Sequence, residues 1–179
     1  MEGMESRPLP APTIKDRLVA AVTLKPEVYR QLGADQSATG QAVIVVVAAA
    51  LVSGLSTIFT GEFGFIGWIV SAILTAVLFG VFVAILWGIG KLFAGVADYM
   101  SLFRGLGFAY APTALGIIPV IGGLVGGIWA VVASIVAVRE IHRVSQGAAV
   151  ATVLIPVGVL LILFVLLAFV TGVVLLGRI

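Results

Sequence analysis

The sequence predicts an all-α membrane protein, a polytopic bundle of about five transmembrane helices, and composition and charge spacing carry that prediction. Of 179 residues, 61% are hydrophobic and 10% charged, whereas a soluble domain carries about 25% charged residues. Ten of the 18 Lys, Arg, Asp and Glu residues lie in the first 35 positions, and the other eight divide long apolar tracts. Asp35 and Glu62 are separated by 26 uncharged residues, Glu62 and Lys91 by 28, and both Arg104–Arg139 and Arg143–Arg178 by 34. About 20 helical residues cross the roughly 30 Å hydrocarbon core, so each tract can cross a bilayer.

Residues 1–12, with three prolines and mixed charge, read as a flexible tail. Residues 13–38 read as an amphipathic arm of two short helices. Thr13 with Asp16 resembles a capping pair, and Ile14, Leu18 and Val22 share one face. Pro26 suits a first helical position, Val28, Tyr29 and Leu32 form a second apolar strip, and Gly33 suits a C-terminal cap. The arm can lie on the membrane surface or dock on the cytoplasmic ends of the bundle, and the two are compatible. The charged stretch is too long for a cleaved signal peptide, so the first span is expected to remain as an anchor.

Residues 39–179 form the membrane domain, with spans expected at about 41–60, 65–89, 105–119, 120–138 and 150–176. A tight turn at Gly61 and Glu62 joins the first two. One helix over 105–138 would be about 51 Å long, beyond a bilayer's thickness, and Pro119 with Gly122 and Gly123 sits near its middle, where a break is expected. A re-entrant hairpin over this tract gives the same distribution of charge and stays open. With five spans, nine of the ten Lys and Arg residues fall on one side, and the positive-inside rule makes that side cytoplasmic, N-terminus included. The C-terminus is then across the membrane.

Helices in lipid associate where small residues let backbones approach. Ala72, Ala76, Gly80, Ala84 and Gly88 recur every four residues in the second span, as do Gly122, Gly126, Ala130 and Ser134 in the fourth, beside Gly123 and Gly127. Ala49, Ser53 and Thr57 form a shorter line in the first. These lines serve either the protein's own bundle or another subunit. Trp68 and Trp87, near opposite ends of the second span, suit the two interfaces.

No charge falls at mid-membrane depth, which argues against a proton relay built on buried carboxylates. The lack of cysteine excludes disulfides and thiolate chemistry. His142, the one histidine, reads as a loop residue, with neither a zinc ligand set nor a partnered acid. Its net charge of +2 is too small to suggest nucleic acid. No catalytic, cofactor or metal residues are therefore expected. One polar constellation stands out: Asp98, Tyr99 and Arg104 before the third span, with Arg139, Glu140, His142 and Arg143 after the fourth. If these spans form a hairpin the two groups meet, as a salt-bridge cluster or as a face for anionic lipid headgroups or a protein partner. Pro112 is expected to kink the third span, and Tyr110 to need a hydrogen-bond partner.

The run from Ser101 through Arg104, Tyr110 and Pro112, then Ile128-Trp129, the stretch Ala137-Val-Arg-Glu-Ile-His142, Ser145 and Ala148 resembles the Yip/Yif domain family. The Thr23-Leu-Lys-Pro26 pattern before Tyr29 is similar to its prokaryote-type members. The resemblance implies a five-span protein with a cytoplasmic N-terminus. Eukaryotic members interact with Rab-type GTPases, but the short arm lacks an Asp-Leu-Trp-Gly-Pro-like stretch, so a Rab partner is not expected. The resulting expectation is a non-catalytic scaffold or accessory subunit in a bacterial inner membrane, in contact with membrane lipids and other integral membrane proteins. The alternative is a passive conduit or transporter for a small uncharged or lipidic molecule.

Overall fold

The computed structural model describes residues 13–60 and 64–176. The predicted tail over residues 1–12, the turn at Gly61 and Glu62, and Arg178 lie outside them. Among the described residues the chain is helical with no strand: α1 (Ile14–Val22), α2 (Pro26–Ala34), α3 (Ala38–Thr60), α4 (Gly64–Leu92), α5 (Tyr99–Ala109), a 3-10 helix (Ala111–Ile117), α6 (Ile121–His142) and α7 (Gln146–Leu176).

Each arm helix begins where its residues predict. The Thr13 hydroxyl accepts from the Asp16 amide at 3.2 Å, and the Asp16 carboxylate accepts from the Thr13 amide at 3.0 Å, closing a capping box. Pro26 opens α2, but Gly33 does not close it. Asp35 is the C-cap, and Gly33 lies in the last turn against the Ile141 side chain. The glycine is used for close approach rather than for a left-handed backbone.

Four helices are long and apolar enough to cross a membrane: α3 over Ala38–Ser56, α4 over Gly64–Leu92, α6 over Ile121–His142 and α7 over Gln146–Val174. On α7 the side chains of residues 159–171 are exposed on every face of the helix, and none is charged. An apolar surface that wraps a helix completely is stable only in lipid or in a protein core. The chain is thus a multi-pass integral membrane protein. Helices α3, α4 and α7 run past the predicted spans into polar residues such as Thr39, Lys91 and Gln146, because helical hydrogen bonding does not stop where hydropathy does.

The tract over 105–138 is divided, though its first half is not one α-helix over 105–119. Helix α5 already starts at Tyr99 and ends at Ala109, and the backbone continues as a 3-10 helix. Pro112 lacks an N–H and its ring would crowd the carbonyl four residues earlier. The expected kink is realised as a change of helix type. The Thr113 hydroxyl donates to the Tyr110 carbonyl at 2.8 Å, satisfying a group at the break. Eleven α and seven 3-10 residues give about 30 Å of rise if collinear. Gly107 packs on Ala42 and Gly116 on Ser53, so this composite element runs beside α3 in the same direction. Next, the Ile121 amide donates to the Pro119 carbonyl at 2.8 Å across Val120, whose φ is 63° and ψ −69°. That is the strained form of a γ-turn, and it reverses the chain into α6.

This antiparallel return brings the end of α4, the start of α5, the end of α6 and the start of α7 to one end of the bundle. Both arm helices pack there, with Tyr29 and Leu32 buried in a core that also holds Leu86, Leu102, Leu106 and Val138.

Candidate functional site

The polar constellation gathers at that end around α2. Glu140 lies at its centre. It accepts from Arg30 Nε at 2.6 Å and from Arg139 Nε at 2.8 Å, while Arg139 Nη1 donates to Gln146 Oε1 at 2.8 Å. Arg30 comes from the arm, 110 residues away from Glu140, and no sequence pattern links the two. On the other side of the arm, Arg17 pairs with Asp35 and donates to Gln41 at 3.1 Å, tying α1 to the α2–α3 junction. The Ser37 hydroxyl first, and Arg17 next, hold the Asp35 carboxyl below its ordinary range.

Arg104 belongs to α2 more than to the cluster. Its buried guanidinium donates from Nε to the Leu32 carbonyl at 3.1 Å, and from Nη2 to the Gly33 carbonyl and to the Ser101 hydroxyl at 3.1 Å. These carbonyls are left without intrahelical partners at the α2 C-terminus, where a cation is also favoured by the helix dipole. Asp98 caps α5: it accepts from the Ser101 amide at 2.9 Å and from the Ser101 hydroxyl. Those bonds, with the nearby Arg104 charge, hold its carboxyl below the ordinary value.

His142 is not a loop residue. It ends α6 and is fully buried, its ring held between Gly90 and Gly95, where any side chain would overlap it. Its carbonyl accepts from the Val96 amide at 3.1 Å, and neither ring nitrogen has a hydrogen-bond partner among the described residues. Arg143 follows with a left-handed backbone, φ 56° and ψ 41°.

The small-residue lines behave differently on the two helices. On α6, Gly122, Gly126 and Ala130 are buried and Ser134 is half-buried. A Cβ on Gly126 would meet the Pro112 carbonyl, and one on Gly122 the Leu115 carbonyl, so this line seats the 3-10 helix. Gly123 and Gly127 face open space. On α4, Ala72 is buried, Ala76 and Gly80 are half-buried, but Ala84 and Gly88 are exposed. The geometric reason is drift. At 3.6 residues per turn a strict four-residue repeat rotates about 40° per step, so this line leaves the core that Phe79, Val83, Leu86 and Gly90 continue to meet. The α6 line avoids this by shifting to Ala133 and Ala137, a three-residue step. On α3, Ala49 is buried and Ser53 meets Gly116; the Thr57 side chain lies outside the described ones.

The aromatic positions are spent on backbone carbonyls. Trp129 Nε1 donates to the Val22 carbonyl at 3.0 Å, Trp68 to Leu51 at 2.9 Å, Trp87 to Ala97 at 3.1 Å, and the Tyr99 hydroxyl to Gly80 at 3.1 Å. The Tyr29 hydroxyl donates to Ala21 at 2.8 Å, and burial pushes its phenol up. Tyr110 packs its ring on Phe79, with centroids 5.2 Å apart, and Pro112 is buried at the start of the 3-10 helix. None of these carbonyl acceptors has a signature in sequence.

Comparison with curated proteins and with solved structures returns no match. A family model described as the Yip1 domain matches residues 20–168. That stretch takes in the last residues of α1, the rest of the arm, the composite α5 element, the glycine-seated contact of α6 and most of α7. This chain belongs to the Yip1 domain family.

Proposed function

We propose that this chain is a non-catalytic scaffold or accessory subunit of a bacterial cell membrane, crossing it five times with the arm on the cytoplasmic side. The observation that carries this reading is how the polar residues are used: Arg104 and Asp98 cap helices, Glu140 joins the arm to the bundle, Asp35 ties α1 to the α2–α3 junction, and His142 is enclosed. Groups engaged in holding the fold are poor candidates for turnover. The outward segment of α4 around Ala84 and Gly88 supplies the surface, since small residues let a helix of another membrane protein approach closely.

The test is purification in mild detergent from the native membrane, with wild type compared to an Ala84→Leu, Gly88→Leu double variant. A stoichiometric membrane-protein partner that the double variant loses, at unchanged melting temperature, is expected. A lone protein that carries a small uncharged solute into proteoliposomes would instead establish the conduit.

A further inference from the structure

We propose that the cleft between α2, the start of α5 and the end of α6 binds a phosphate group, held between Arg30 and Arg143 above Glu140. Two adjoining clefts, of about 360 and 480 Å³, share Arg30, Glu140 and Arg143 in their walls. The first also carries Asp98 and Ser101, the second Arg139. Three arginines thus face two carboxylates, and both carboxylates are engaged: Asp98 by Ser101, and Glu140 by Arg30 Nε and Arg139. Arg139 is itself taken up by Glu140 and Gln146. What remains available is the terminal end of the exposed Arg30 fork and the Arg143 guanidinium, which makes no hydrogen bond or ion pair among the described residues. Two guanidinium groups in the wall of one cleft supply planar donor pairs of the kind that phosphate oxygens match.

Arg143 carries a second argument. Its left-handed backbone is one that glycine or asparagine adopts with less strain, so the backbone alone gives no reason for an arginine. Helix α7 starts three residues later, and its first amides point their partial positive charge back toward this corner. The clefts lie where the apolar windows of α4 and α6 end, at Leu92 and His142. This is the depth of lipid headgroups, which makes an anionic phospholipid phosphate the first candidate and a free phosphate the second.

The proposal does not depend on the subunit reading. It is tested by native mass spectrometry of the purified full-length protein, supplied with equal amounts of phosphatidylglycerol and phosphatidylcholine. Wild type should retain phosphatidylglycerol by about fivefold or more, since each arginine near the surface contributes about one such factor. Arg143→Gly should abolish that preference while leaving the melting temperature unchanged or higher, because glycine suits the backbone. Arg143→Lys should restore much of the preference, and Arg30→Gln should weaken it. Lys15→Gln, a cation elsewhere, should not. Competition with millimolar inorganic phosphate separates the sources: displacement identifies a free phosphate as ligand, and resistance identifies the headgroup. Equal retention of the two lipids by wild type, or an undiminished preference in Arg143→Gly, overturns the proposal.

Discussion

The Arg104 guanidinium meets two carbonyls of α2 some 70 residues earlier in the chain, and with the Arg30–Glu140 pair this side chain holds the arm to the bundle. Arg104→Ala leaves buried carbonyls without a donor and is expected to cost about 2–4 kcal/mol, read as a lower melting temperature and faster proteolysis near Ala34. Arg104→Lys should recover only part of that loss, because an ammonium cannot reproduce the planar fork. A second pair of residues gives a sharper contrast. Gly126→Ala sets a methyl against the Pro112 carbonyl and is expected to destabilise by about 1–3 kcal/mol. Gly127→Ala enters open space and should be neutral or stabilising by up to about 1 kcal/mol; equal effects at the two positions would contradict the seating of the 3-10 helix. The importance of Gly126 was legible from its spacing, and that of Arg104 only in part. Its charge and its place at a helix end could be read, but its acceptors are backbone oxygens, which every residue has. The enclosure of His142 was equally hidden, since it depends on Gly90 near the end of α4 and Gly95 in the connection that follows it.

At the scale of elements, charge-free tracts translate almost directly into long helices, because lipid leaves the backbone few alternatives. The segment before α6 was harder to read. Pro112 signalled an interruption, but whether a proline kinks, breaks or converts a helix depends on which neighbours accept the freed carbonyls. Here the Thr113 amide and hydroxyl both donate to the Tyr110 carbonyl, and the glycines of α6 let the Pro112 and Leu115 carbonyls approach closely. The α4 line divides between two faces for a different reason: over Ala72 to Gly88 a four-residue repeat drifts by about 160°, nearly half way round the helix, so Ala72 is buried while Ala84 and Gly88 are exposed. The start of α5 yields a prediction in pH. Because Ser101 lowers the Asp98 carboxyl below its ordinary 3.8, the cap contributes fully above that value and is lost as pH falls through the folded-state value. Wild type should therefore lose more melting temperature between neutral pH and pH below 3.8 than Asp98→Asn, which caps without titrating. Parallel pH profiles would show that Asp98 is not the cap that matters.

On the scale of the whole molecule, one arrangement links the arm, the polar end and the apolar faces. The composite α5 element runs beside α3, so that α4, α5, α6 and α7 all bring a terminus to a single end, where the arm packs on α5 and α6, and the exposed apolar side chains of α4 and α7 face lipid. A chain without cysteine lends itself to labelling of single introduced cysteines with a membrane-impermeant reagent in sealed vesicles. Cysteines at Ser37 and Ser145 should react from one side of the membrane and a cysteine at Ile118 from the other. Reaction of Ile118 from the same side as Ser37, or of Ser145 from the opposite side, would contradict the proposed fifth crossing by the composite element.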